Sequence, residues 1–300
     1  MADIARESLA CVRTGEPVTL PLICSFGTER LWYEREHRKR QTIHGLPSRL
    51  DGYGHCLKYE IQETDLIEWI RNQTTTGGPR DKVPTALRAV LQAIQDCVEG
   101  SESVYYDGRY SDLVVCWSGR EPQLLSHLSD GQAIMLTLVA DIARRAAILN
   151  PHLGTSALAE TPGVVLIDEL DLHLHPKWQR RIIHDLKRTF PQVQFVTTSH
   201  SPQLIGETQS AEVMILEDNQ SGSPPRSFGI DSSRVLEEVM RTSSRNLDIE
   251  KLLVQLFKTI DQEDFVTARG LLSNAEAKLG PDDPEVTRAR AQMTFLEAPV

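Results

Sequence analysis

The sequence predicts an α/β fold with a parallel sheet at its centre and a helical segment at its C-terminal end. Two short apolar runs, 163–167 and 193–198, are separated by a stretch patterned as a single helix. That is the rhythm of a βαβ unit, whose strands lie parallel because the helix between them carries the chain back. Each run ends abruptly in polar residues, Asp168-Glu169 after the first and Ser199-His200-Ser201-Pro202 after the second. From about Asp248 onward the pattern is purely helical. These observations place an α/β body in residues 1–245 and a helical appendage in 246–300.

The remaining elements follow in order. Residues 2–14 are expected as a helix carrying Ile4, Leu9 and Val12 and stopped by Gly15. Val18 to Phe26 is expected as a strand, with Pro21 suiting a sheet edge. Glu34 to Arg40 is a mixed charge run of the kind that usually lies in solvent, and 45–54 is rich in turn formers. Helices are expected over 63–72 and 83–98, with a Thr/Gly linker at 73–79 between them. Ser103 to Trp117 reads as an antiparallel strand pair turning at Asp107-Gly108. A long helix runs from Asp130 to about Ile148, where Asn150-Pro151 ends it. The helix expected over 177–190 has Trp178, Ile182, Ile183, Leu186 and Phe190 on one side. Lys177, Arg180, Arg181, His184, Lys187 and Arg188 line the other. The default for that basic stripe is a solvated face, and the alternative is a surface for DNA, RNA or an acidic partner. Ala211 to Glu217 is expected as a further core strand, 219–225 as a loop and 232–241 as a helix. Beyond them come three amphipathic stripes, based on Leu252/Leu256/Ile260, on Ala268/Leu272/Ala275, and on 286–296.

Charge and cysteine usage narrow the function classes. Lysine and arginine number 32 against 42 acids, a net charge of −10, which argues against a protein that coats nucleic acid by bulk charge. Five cysteines are scattered without a C-x-x-C pair, which suits reduced thiols in a cytoplasm better than a disulfide framework or a zinc site. No apolar run reaches the roughly 20 residues that a membrane span needs, so the expectation is a cytoplasmic protein with no membrane partner.

Three constellations carry chemistry. Asp168 and Glu169 end a strand at the sheet edge where open α/β folds bind ligands. One acid can hold Mg²⁺ while its neighbour polarises a water, although a buried strand with an acidic turn would read the same way. His200, just past the next strand, can reach a γ-phosphate above those carboxylates. Ser129-Asp130-Gly131-Gln132 opens the long helix, where N–H groups and a hydroxyl suit an anion, or where Ser129 or Asp130 is an ordinary helix cap.

In chain order, Leu128 to Gln132, Val164 to Glu169 and His200 resemble the signature motif, Walker B strand and switch histidine of an ABC-type ATPase of the SMC–RecF branch. The wording Asp-Glu-Leu-Asp-Leu-His-Leu-His-Pro and Thr-Ser-His-Ser-Pro is similar to the ATP-binding proteins labelled AAA family. Gly229 to Met240 and Leu279 to Pro284 further resemble the PtuA ATPases of Septu and retron-linked antiphage systems. The resemblance implies an ABC-type P-loop NTPase-like sheet, an antiparallel β subdomain before the signature helix, and a tetratricopeptide-like helical hairpin at the end. It implies ATP and Mg²⁺ as ligands, with Asp168 on the metal, Glu169 as general base and His200 on the γ-phosphate. Ser129, Asp130, Gly131, Gln132 and the D-loop Asp171 would contact nucleotide across a homodimer, and an HNH nuclease is an implied partner. Arg30, in a Gly-Thr-x-Arg turn, would either approach nucleotide or form a surface ion pair.

One expected motif is missing: these 300 residues contain no G-x-x-x-x-G-K-[ST] loop, which supplies the backbone cradle and lysine for the phosphates. The expectation is therefore a C-terminal lobe of a truncated or split ATPase, completed by another chain, or else a non-hydrolytic regulatory or scaffold subunit of the same fold. A nuclease of the OLD type fits less well, because no acid-rich βα domain follows residue 245. Calorimetry on the 300-residue chain alone should show Mg-ATP binding weaker than micromolar; micromolar binding would show that the phosphates are held without the loop.

Overall fold

A computed structural model of the chain describes residues 2–28, 48–58, 63–76 and 83–297. Arg30, the 34–40 charge run and 77–79 of the expected linker lie outside the described residues, while 73–76 of that linker are helical. Two compact units are present, Met1–Thr208 and Gln209–Val300. The boundary expected at 245/246 falls within the second.

The centre of the first unit is a three-stranded parallel sheet in the order β1 (Leu22–Phe26), β5 (Gly163–Ile167), β6 (Val193–Thr197). Pro21 precedes β1, at the sheet edge, so no ladder donor is lost. Gly163 starts β5 because a Cβ there would lie 2.2 Å from the Leu22 carbonyl oxygen. A second, antiparallel sheet, β2 (Ser101–Asp107), β3 (Asp112–Trp117) and the two-residue β4 (Gln123–Leu124), leads into the long helix. The mixed α/β architecture anticipated above is thus present, with the antiparallel strands where the sequence put them.

Around these sheets lie α1 (Ala2–Thr14), α2 (Glu63–Thr76), α3 (Thr85–Cys97), α4 (Asp130–Leu149) and the short α5 (Ala157–Glu160). Helix α4 is the spine: its residues from Ile134 to Leu149 are buried almost without interruption, and it packs on α2, α3 and β1. The inward side of the parallel sheet buries Leu22, Cys24, Phe26, Val165 and Ile167 in the same core. The opposite side is different. Ile23, Val164, Leu166 and Val196 remain 38–50% exposed, although parallel sheets normally carry cover on both faces.

The helix expected over 177–190 is two helices, α6 (Pro176–Gln179) and α7 (Ile182–Thr189). The break follows Gln179, whose side-chain amide donates back to the Asp171 and Leu174 carbonyls at 3.3 and 2.9 Å. Helix α8 (Pro202–Gly206) follows β6.

In the second unit the core strand expected over 211–217 is corrected. Only Ile215–Glu217 is extended, as β7, and among the described residues it pairs only with β8 (Gln220–Gly222), in a hairpin turned by Asp218 and Asn219, both at positive φ. Met214 and Leu216 are 69% and 76% exposed, so this strand faces solvent. After the single turn α9 (Ser232–Arg234), which runs on into a π-helical turn, come α10 (Leu247–Asp261), α11 (Phe265–Leu279) and α12 (Pro284–Glu297). Their stripes meet as expected. Leu252, Leu256, Ile260, Ala268, Ala275, Val286, Ala289 and Met293 form a core that shares no residue with the core of the first unit.

A buried charge cluster fixes α4. Asp141, 2% exposed, accepts from Arg144 Nη2 at 2.5 Å and from Arg145 Nε at 2.6 Å. Arg145 Nη1 also donates to the Gly52 and Gly54 carbonyls at 3.1 and 2.7 Å, tying the 48–54 loop to the helix. Burial by itself would raise the Asp141 carboxyl, but the two guanidinium groups outweigh it and hold the acid below its ordinary range. Its stabilising effect is therefore complete above the unfolded value near pH ~4 and is lost as pH falls through the folded value. Asp141→Asn should lower the stability measured by urea unfolding at pH 7 by about 3–5 kcal/mol, and the gap to the parent should narrow at pH 3. A pH-independent gap would show that lost packing, not lost charge, is responsible.

Candidate active site

Strand β5 delivers two acids to the C-terminal edge of the sheet, and its neighbours on both sides grip them. The Asp168 N–H donates to the Phe26 carbonyl at the end of β1, 2.8 Å away. On the other side Thr198 spans the whole turn. Its N–H donates to the Ile167 carbonyl and its carbonyl accepts from the Leu170 N–H, each at 3.0 Å. Its hydroxyl accepts from the Glu169 N–H at 2.8 Å and donates to Asp168 Oδ1 at 2.5 Å. Glu169 itself has φ +47°, a left-handed conformation uncommon for a non-glycine residue. Asp168 is exposed and Glu169 half-buried.

The chain then closes a tight loop. Leu170 and Leu174 are buried as anchors, and the Leu172 and Leu174 N–H groups bond the Glu169 and Asp171 carbonyls. Asp171 Oδ1 is buried without a hydrogen-bond partner. His175 caps α6, its Nδ1 accepting from the Lys177 N–H at 3.3 Å. Gln179 links this loop to the segment after β6, because its Oε1 accepts from the Ser201 hydroxyl at 2.8 Å. Ser201 is buried, while His200 beside it is exposed.

At the start of α4, Ser129 donates from both its N–H and its hydroxyl to Gln132 Oε1, at 3.2 and 3.0 Å. Ser129 and Asp130 are exposed and Gly131 is buried. A Cβ on Gly131 would come within 2.4 Å of the His173 carbonyl oxygen, so the helix start is seated directly on the loop that follows the two acids. The structure therefore brings Asp168 and Glu169 together with Thr198, and Gly131 together with the 170–174 loop. The sequence reading did not single out Thr198 or Gln179. A signal for the first was present: Thr198 closes its apolar run on the strand next to Asp168. Gln179 gave none, since its role depends on a backward side-chain bond.

Among the described residues no three His, Cys, Asp or Glu side chains gather as a metal cage. Mg²⁺ typically takes one or two carboxylates and fills its remaining positions with water and phosphate oxygens. An exposed carboxylate with one oxygen fixed by a hydroxyl is a donor of that kind. Four members of the basic stripe of α6 and α7 stand in ion pairs. Lys177 and Arg181 pair with Glu99 at 3.0 and 3.2 Å, Arg188 with Asp185 at 3.0 Å, and Arg180 approaches Glu207 at 3.8 Å. The Lys177 ammonium, with Arg181 behind it, holds the Glu99 carboxyl below its ordinary range despite partial burial.

Residues 117–206, which contain Ser129 to Gln132, Asp168, Glu169, Asp171, Thr198 and His200, match the family described as AAA domain, putative AbiEii toxin, Type IV TA system. Over 212 residues the chain is 34% identical to the retron Ec83 probable ATPase of Escherichia coli, covering 69% of this chain and 39% of that one. This chain resembles the probable ATPases of retrons and, over a shorter stretch, the Septu protein PtuA. The retron Vc95 probable ATPase of Vibrio cholerae is 37% identical over 67% of this chain and 42% of its own. The Septu protein PtuA of Bacillus mycoides is 38% identical over 96 residues, 32% of this chain and 13% of its own. The chain spans less than half the length of the two retron relatives it matches.

The seating of Gly131 separates packing from ligand contact. Gly131→Ala should force the helix start away from the His173 carbonyl and lower the melting temperature of the ligand-free chain, at a cost of about 1–3 kcal/mol. An unchanged melting temperature would mean that the two segments part without cost.

Proposed function

We propose that these residues form the signature and Walker B half of an ATP-hydrolysing ABC-type ATPase that acts in a bacterial antiphage defence system. The observation that carries the reading is the pair Asp168-Glu169, set at the C-terminal edge of the central strand and gripped by both neighbouring strands. The relatives named as probable ATPases of retrons support the same chemistry.

In this reading Asp168 holds Mg²⁺, which when bound neutralises charge on the transferring phosphoryl group. Glu169 accepts a proton from the attacking water as the water oxygen bonds the γ-phosphorus, the bond from that phosphorus to the β–γ bridging oxygen breaks, and ADP leaves. His200 donates to a γ-phosphate oxygen and stabilises the charge developing there. Ser129, Asp130 and the first N–H groups of α4, with Gln132 and Asp171, face a nucleotide bound by a second protomer. The remaining phosphate cradle comes from a segment or chain beyond these residues. The bare outer side of the parallel sheet supports that, since Ile23, Val164, Leu166 and Val196 suit an apolar covering layer.

A homodimer, or an intact ATPase subunit lending the loop, completes the site, and a nuclease of the HNH type is the proposed effector. The helices α10–α12 are the proposed place for that partner, because they have a core of their own and leave Phe295 80% exposed. Five unbonded cysteines support a cytoplasmic setting. No described helix is long and apolar enough to cross a membrane.

The test is Glu169→Gln in the assembly that hydrolyses ATP. Phosphate release should fall by about 10²–10⁴, with nucleotide still bound. Turnover at the parent rate would remove Glu169 from the mechanism.

A further inference from the structure

We propose that Thr198 is a positioning residue, whose hydroxyl locks the Asp168 carboxylate to the Glu169 backbone so that the two acids meet a divalent cation as one unit. The inference rests on the ATPase reading for the identity of the ligand, but not for its geometry.

Three features support it. The hydroxyl can donate once and accept twice, and here it does one of each. It takes the Glu169 N–H at 2.8 Å and gives its own proton to Asp168 Oδ1 at 2.5 Å. The Glu169 N–H fixes the direction of the proton on Thr198, because a backbone amide can only donate. The hydroxyl hydrogen is then committed to the carboxylate, a charge-assisted bond of the stronger kind. Second, the partners are adjacent residues, and the second of them, Glu169, is itself left-handed at φ +47°. A single oxygen therefore sets both the rotamer of one acid and the backbone under the other. Third, Thr198 is itself immobilised by two backbone bonds to the same turn, through the Ile167 carbonyl and the Leu170 N–H. A group that orients others must first be oriented, and Thr198 meets that condition.

Position explains why this falls to a hydroxyl. Thr198 follows the last residue of β6, and β6 runs parallel to β5 with Thr197 opposite Ile167. The next residue along lies beside Asp168, where the ladder is ending and the Glu169 N–H has turned away from it. Valine would fill the same space with neither donor nor acceptor. Serine would keep both.

The experiment uses the parent chain, Thr198→Val and Thr198→Ser. Amide hydrogen exchange at Glu169 is followed by NMR, and Mn²⁺ binding in the presence of excess ATP by electron paramagnetic resonance, both in the ATP-binding assembly. The valine variant should exchange at Glu169 and release Mn²⁺ about tenfold more readily, as expected for losing a hydrogen bond to a charged group, while serine restores both. A valine variant that binds Mn²⁺ like the parent overturns the proposal even if Glu169 exchanges faster, because the bond would then be structural only. Unchanged exchange at Glu169 also overturns it, as does an assembly in which the parent takes up no Mn²⁺. Parent protein that binds Mn²⁺ yet releases no phosphate from ATP refutes the hydrolytic reading and leaves the Thr198 comparison decisive on its own.

Discussion

The first unit depends on a carboxylate that has no access to water. Asp141 lies on a helix whose other inward residues are almost all aliphatic, and its charge is tolerable only because Arg144 and Arg145 face it. Arg145 then has donors left over, and it spends them on the Gly52 and Gly54 carbonyls. The 48–54 loop is thereby drawn onto α4, where Gly52 is needed because a Cβ would strike Leu149 at 2.6 Å. At the same end of α4, Asn150 accepts from the Leu20 N–H at 2.7 Å and donates to its carbonyl at 2.9 Å, which fixes the approach to β1. Helix, loop and edge strand are thus joined through polar groups inside an apolar core, where an unpaired partner would be costly. Registry comes from these bonds, while the aliphatic residues supply the burial.

Much of this was legible in the sequence, for a physical reason. A central parallel strand is short, apolar and abruptly ended, and the run to Ile167 followed by Asp168-Glu169 has that form. Helix α4 announced itself by its length and by Asn150-Pro151 at its end. The three C-terminal stripes were also legible, because helices that pack mainly on one another must carry their apolar residues at helical spacing. Where the reading failed, the deciding contact was remote or absent. Residues 213–216 are apolar enough to suggest a core strand, yet apolar content does not reveal whether a second strand will cover it, and only β8 pairs there. The break after Gln179 arises from a side chain bonding carbonyls five and eight residues earlier, which periodicity does not register.

The candidate site divides in the same way. Acids at a strand end and a histidine after the next strand are visible as a pattern, because residue type and position both carry the chemistry. The groups that hold them, Thr198 and Gln179, are common polar residues whose meaning lies in what they touch. Gly131 is intermediate. Its place in the motif suggested a ligand contact, and the structure adds a separate steric demand made by the His173 carbonyl.

That close approach has a kinematic consequence. With no side chain between them, the start of α4 and the loop after the two acids share a backbone-to-backbone seat, and Gln179 fastens the same loop to the segment bearing His200. Such contacts leave little slack, because backbone is far less compliant than a side chain that can change rotamer. The loop after the two acids thus has a close backbone contact to the helix start on one side and, through Gln179, a side-chain bond to Ser201 beside His200 on the other. In the proposed reading, the elements facing one nucleotide and those facing another are joined through this one loop.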